Sequence, residues 1–156
     1  MTTILSPNFT PGRKYAIRAV TLHITGGTSG SAINTFLNPA SKASAHYVVK
    51  EDGEVVMMVR EEDQAWHAGA VIRPTWKNII PGANPNQYTI GIEVALKDGK
   101  TVPPWKQWIG VRKLLNDIVA RYPYIETVHH NEIIATKECP GIWITRFYMT
   151  LLKPFA

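Results

Sequence analysis

From Tyr15 to Thr25 the chain alternates: Val20, Leu22 and Ile24 fall on one side, Ala19, Thr21, His23 and Thr25 on the other. A period of two predicts a strand. Gly26-Gly27 breaks it, and Ser29 to Leu37 reads as a short helix stopped by Asn38-Pro39. Ala45 to Lys50 and Glu54 to Arg60 flank Glu51-Asp52-Gly53, the pattern of a hairpin. A long stretch without periodicity follows, holding Trp66, His67, Trp76 and Gly82. Loops of that length inside a compact domain are usually functional. Thr89 to Leu96 alternates again, with Ile90, Ile92, Val94 and Leu96 opposite Thr89, Gly91, Glu93 and Ala95. After Pro103-Pro104, Trp108, Val111, Leu115, Ile118 and Val119 form one stripe at helical spacing, predicting a helix to about Arg121. A strand near Glu126 to His129 and a helix from about Trp143 to Leu152 complete the pattern. The elements predict an α/β fold, a mixed central sheet flanked by helices. Residues 1–14 read as an irregular arm, and the whole of 1–156 as one domain without an appended binding domain.

Composition narrows the class without naming a function. With 156 residues, 45% hydrophobic and 19% charged, the chain can bury a core and is not of disordered type. A formal charge of +5 favours an anionic partner, whether nucleic acid, an acidic membrane or an acidic wall. The basic residues are scattered, as on a solvated surface. Cys139 is the single cysteine, so no intrachain disulfide forms and a reducing compartment or a special task is implied. The first residues lack a basic segment followed by an apolar one, and no 18 apolar residues run together. A cytoplasmically made chain without signal peptide is the expectation.

Two strand positions stand out chemically. Taken alone, a strand histidine such as His23 is more often structural than a ligand. Glu93 lies in the middle of an apolar strand, where an unpaired buried carboxylate costs several kcal/mol. It must meet a cation, a metal or an open cleft, and Gly91 and Ala95 leave room on its face. Taken alone, a buried salt bridge to an Arg or Lys is the more frequent explanation. The third feature is Val128-His129-His130-Asn131-Glu132, followed by Lys137-Glu138-Cys139-Pro140-Gly141. A histidine and a cysteine joined by a short loop converge readily on Zn²⁺, which accepts imidazole nitrogen and thiolate sulfur. Adding His23 gives a His₂Cys set, whose open fourth position is the arrangement of a catalytic zinc.

These pieces carry a resemblance. Leu22-His23-Ile24-Thr25, Asn38-Pro39, Ser44-Ala45-His46-Tyr47-Val48-Val49, Asp52-Gly53, Ala65-Trp66-His67-Ala68-Gly69, Ile90-Gly91-Ile92-Glu93 and the closing Lys137-x-Cys139-Pro140-Gly141 occur in that order. Together they resemble the type 2 N-acetylmuramoyl-L-alanine amidases, relatives of the peptidoglycan recognition proteins that include many phage endolysins. The resemblance implies that one zinc ion is held by His23, Cys139 and His130, with His129 as the alternative to His130. It implies Glu93 as general base and Lys137 beside the oxyanion, although a surface lysine is the plain reading of Lys137. Some relatives carry a catalytic tyrosine where this chain has Ala45, which leaves the proton transfers to Glu93. His67, Trp66 and Trp76 are expected in the substrate groove, the two tryptophans either stacking on sugar or packing the loop; His46 is expected to be structural or to orient a ligand or the base.

The function so implied is zinc-dependent hydrolysis of the amide between N-acetylmuramic acid and L-alanine in peptidoglycan, as a phage or prophage endolysin acting on the wall after release. A cytoplasmic enzyme recycling anhydro-muropeptides, a non-catalytic peptidoglycan receptor and a Cys139 thiol nucleophile are the competing readings. Peptidoglycan is the expected partner, with no nucleic acid, no stable membrane insertion and a monomeric state.

Overall fold

The structure, a computed structural model, describes residues 1–147. In chain order the strands and helices are β1 (Thr2–Thr3), β2 (Phe9–Thr10), β3 (Ala19–Ile24), α1 (Ser29–Leu37), β4 (Tyr47–Val49), β5 (Val55–Met57), β6 (Gln64–Ala65), β7 (Thr89–Val94), α2 (Trp105–Arg121), β8 (Glu126–His129), α3 (His130–Ile133) and α4 (Gly141–Phe147). Six strands form one sheet in the order β1-β5-β4-β7-β3-β8. β4 and β5 are antiparallel; the other pairs are parallel, so the sheet is mixed as the pattern predicts.

The alternation sorts side chains between the two faces. Val20, Leu22, Ile90, Ile92 and Val94 pack beneath α2, whose Trp108, Val111, Leu114, Leu115 and Ile118 are buried. Leu114, and not the partly exposed Val119, belongs to the stripe. Gln107, wholly buried, donates through Nε2 to Ala95 O at 2.9 Å, fixing α2 to the strand end. The opposite face is covered in two pieces. α1 supplies Ala32 and Phe36 against Val48 and Met58, while the segment after β6 brings Ala68 and Trp76 over Ala19 and Val128. The carboxyl ends of β3, β7 and β8, where Ile24, Glu93 and His130 are partly exposed, are the usual place for a site on parallel strands.

Local chemistry explains the elements. Thr28 caps α1, its side chain accepting from Ser31 N at 3.2 Å. Glu51, in the hairpin turn, accepts from Ser29 N at 2.9 Å and Ser29 Oγ at 2.6 Å, placing a carboxylate at the positive end of α1. The predicted hairpin holds as β4–β5. The final helix begins at Gly141, two residues before the expected Trp143, and its expected continuation to Leu152 runs beyond the described residues. The arm departs from its irregular reading. β1 pairs with β5 and β2 with β6, and Ser6 and Asn8 between them are buried. Two-residue strands are too short to show a period, and here each completes an exposed edge.

Candidate metal centre and active site

His23 and Glu93 each occupy the next-to-last position of their parallel strands, and they are direct Cα partners across the β3–β7 ladder. The period of two therefore sends both side chains to the same face. β8 lies on the other side of β3 and ends at His129, so His130, the first residue of α3, enters at the same level. Cys139 returns from the loop beyond α3, with Asn131 N donating to Cys139 O at 3.0 Å. Gly141, just past it, is at φ +81 with its backbone against Gly99, where an added Cβ would lie 2.2 Å from Gly99 Cα. Only glycine permits that approach, which holds the Cys139 turn against the sheet.

The donor atoms of His23, His130 and Cys139 lie within 4.8 Å of one another. The His23 and His130 ring centroids are 4.3 Å apart. Cys139 Sγ stands 4.0 Å from His23 Nδ1 and accepts from Ile24 N at 3.3 Å. His130 Nε2 faces Ala68 O at 3.3 Å, which leaves Nδ1 as its bare nitrogen. His129 turns elsewhere: Nδ1 is 3.1 Å from Glu132 Oε2, which also accepts from His129 N at 2.6 Å to close a capping box on α3. His130, and not His129, thus belongs to the cluster of donor atoms.

Electrostatics suits a cation. His23, His67 and His130 are held below the usual imidazole range, first by burial and then by neighbouring positive groups, so they are neutral with lone pairs available. Burial pushes the Cys139 thiol up to about 12. A thiol in that state is a poor nucleophile, which disfavours the thiol mechanism; a divalent cation would deprotonate it. Glu93 is raised to about 8 by burial. Its Oε2 is buried and has no hydrogen-bond partner among the described residues. An orphaned carboxylate oxygen beside two imidazoles and a thiol fits a site built around a metal and its water.

The remaining expected residues divide. Lys137 is exposed, yet its charge acts on His23, His130 and Cys139, so it stands near the centre. Trp66 is partly exposed on the adjoining segment and donates through Nε1 to Thr10 Oγ1 at 2.9 Å. Trp76 is a correction. It is 6% exposed, packs against Tyr88 with centroids 5.8 Å apart and donates to Glu126 Oε2 at 2.9 Å, so it packs the loop and offers no face to a sugar. His67 is partly exposed, with its ring centroid 5.1 Å from that of His23. Its Nδ1 is 3.0 Å from His23 Nε2 and its Nε2 is 3.2 Å from Thr89 Oγ1. Gly91 makes the space, since a Cβ there would lie 2.4 Å from His67 Cγ. His46 is buried; Nδ1 accepts from Gly91 N at 2.9 Å.

Asn86 was invisible to pattern reading. Its Oδ1 accepts from Ala68 N at 2.8 Å and His67 N at 3.2 Å, holding the histidine segment in place. The Asn84-Pro85-Asn86 turn signal was its only trace.

The fold and the sequence both have counterparts. A family profile described as N-acetylmuramoyl-L-alanine amidase matches residues 13–142. N-acetylmuramoyl-L-alanine amidase A of Achromobacter lyticus is 42% identical over 76 residues, covering 48% of this chain and 35% of that protein. The 1,6-anhydro-N-acetylmuramyl-L-alanine amidase AmpD of Haemophilus influenzae is 30% identical over 86 residues, 54% of this chain and 42% of that one. The chain thus matches half or less of the length of these curated relatives. Among solved structures, a selenomethionine AmpD derivative superposes with TM-score 0.76 at 23% identity, covering 95% of this chain and 92% of that one. The E. coli amidase AmiD, in complex with anhydro-N-acetylmuramic acid-L-Ala-D-gamma-Glu-L-Lys, superposes with TM-score 0.68 at 25% identity over 80% of this chain and 52% of that one. With its strand order, its clustered histidines and cysteine and the profile spanning most of its length, this chain belongs to the N-acetylmuramoyl-L-alanine amidase family.

Proposed function

We propose that this chain hydrolyses the amide bond between N-acetylmuramic acid and L-alanine, with one zinc ion held by His23, His130 and Cys139. The observation that carries the reading is the buried, unpartnered Oε2 of Glu93 on the strand position paired with His23. A carboxylate so placed holds a proton readily, with its pKa near 8 in the absence of a cation. Glu93 takes the proton of the attacking water and passes it to the leaving nitrogen of L-alanine. Zinc, when bound, supplies a Lewis acid for the water and for the scissile carbonyl. Lys137 brings positive charge toward the oxyanion that develops there. Trp66, partly exposed beside the centre, is the proposed contact for a sugar ring. The substrate is peptidoglycan or a fragment of it.

Two settings fit this chemistry. One is a lysin of phage or prophage type that cuts the intact wall. The other is a recycling enzyme for soluble anhydro-muropeptides, favoured by the likeness to proteins named for that substrate. Mass spectrometry of digests separates them. Intact peptidoglycan and soluble anhydro-muropeptides are compared at equal bond concentration, and the free amino terminus of L-alanine is followed. Comparable or faster release from intact wall supports the lysin; strong preference for the anhydro fragment supports recycling. Absence of L-alanine amino termini from both overturns the amidase reading.

A further inference from the structure

We propose that Thr89 and His67 are positioning residues that set the tautomer of His23, keeping its Nδ1 bare for a metal. The inference rests on the metal reading of His23, and both residues act through that ligand.

The geometry is a single file of hydrogen bonds running out of the site. Thr89 Oγ1 lies 2.8 Å from Pro85 O, His67 Nε2 lies 3.2 Å from Thr89 Oγ1, and His67 Nδ1 lies 3.0 Å from His23 Nε2. His23 Nδ1, the last nitrogen, stands 4.0 Å from Cys139 Sγ. A carbonyl oxygen has no proton to give, so the Thr89 hydroxyl proton goes to Pro85. Thr89 Oγ1 then only accepts, and His67 Nε2 must carry the ring proton. His67 Nδ1 is left as a lone pair, which accepts from His23 Nε2–H. That leaves His23 Nδ1 bare on the side of Cys139 and His130. Every link has one donor and one acceptor, and reversing any of them sets two protons or two lone pairs face to face.

The surroundings hold this file in place. Thr89 is wholly buried, so no water competes for its hydroxyl. Gly91 admits the His67 ring over β7, and Asn86 Oδ1 accepts from the backbone N–H groups on both sides of the His67 Cα. Thr89 precedes Glu93 by four residues on the same face of β7. One strand thus carries both the proposed base and the anchor of the ligand tautomer. Outer partners of this kind hold a metal ligand's ring nitrogen and typically contribute 10- to 100-fold in metal affinity.

The test reads protonation sites directly. Long-range proton–nitrogen NMR on the metal-free wild-type protein reports which ring nitrogen of each histidine carries hydrogen. The proposal expects His23 and His67 both to be Nε2–H; an Nδ1–H form of either overturns it. Zn²⁺ affinity, measured by competition with a chelator, supplies the second readout. Thr89→Val, which removes the hydroxyl at nearly constant volume, should weaken zinc binding 10- to 100-fold, and Thr89→Ser should restore it to within a few-fold. His67→Asn, whose Oδ1 can replace the accepting nitrogen, should bind zinc more tightly than His67→Phe. Equal affinities for Thr89→Val and Thr89→Ser would overturn the proposal. The two readings fail separately: a wild-type protein that binds no zinc sinks the metal reading even when both tautomers are as stated, whereas a tight zinc site with His67 as Nδ1–H sinks the positioning role alone.

Discussion

A buried carboxylate oxygen without a partner is expensive, and Glu93 Oε2 is kept in that condition one strand away from His23. Its cost has a sign that can be measured. The folded-state pKa, about 8, is above the ordinary 4.5, so the native protein keeps a proton that the unfolded chain releases. The stability held by the neutral form is full below pH 4.5 and is lost as pH rises toward 8. The slope approaches about 1.4 kcal/mol per pH unit inside that window. Glu93→Gln removes the titration, so urea unfolding of the metal-free proteins should show the variant gaining on wild type across the window and the gap levelling outside it. A gap independent of pH would mean that Glu93 is solvated or paired. In catalysis, Glu93→Ala should retain zinc while turnover falls by about 10²–10⁴-fold, read as metal content against initial rate. The adjacent histidines should part in the same assay. His130→Ala should lose zinc, whereas His129→Ala should keep it and lose about 1 kcal/mol with the α3 cap.

At the scale of elements, the centre is assembled by register. His23 and Glu93 were legible as odd residues in apolar strands, but only the parallel β3–β7 pairing makes them neighbours, and nothing in either strand's own sequence specifies its partner. His129 and His130 could not be told apart by pattern, because the choice depends on where β8 stops and α3 turns. Trp76 shows the opposite failure. An aromatic in a polar loop reads equally as a ligand platform or a packing group, and the loop folds back so that Trp76 N reaches Glu132 O and the ring joins the core. The His67 file was hidden for a similar reason: Thr89 and His67 are 22 residues apart, joined by a loop with no period. Gly91 is the element-level test. Gly91→Ala sets a methyl against the His67 ring and should cost about 1–3 kcal/mol while weakening zinc binding, both measurable by thermal unfolding and chelator competition. Unchanged stability and affinity would show that the ring is free to move away.

For the whole molecule, the sheet divides the labour. α2 seals one face with a continuous apolar cluster, and the other face is covered by α1 and the loop after β6. Fold class and most element positions follow from periodicity; the paired arm strands, at two residues each, do not. No helix among the described residues is long and apolar enough to cross a membrane. The formal charge of +5 suits an anionic polymer, so wall binding should weaken as salt rises. The central claim is that the two imidazoles and the thiolate hold a zinc ion without which nothing is cut. Its most direct measurement is the rate of L-alanine amino-terminus release from purified peptidoglycan before chelation, after chelation and after adding Zn²⁺. The account predicts activity near zero in the chelated protein and recovery as zinc approaches one ion per chain. Full activity in protein shown to be metal-free would contradict it.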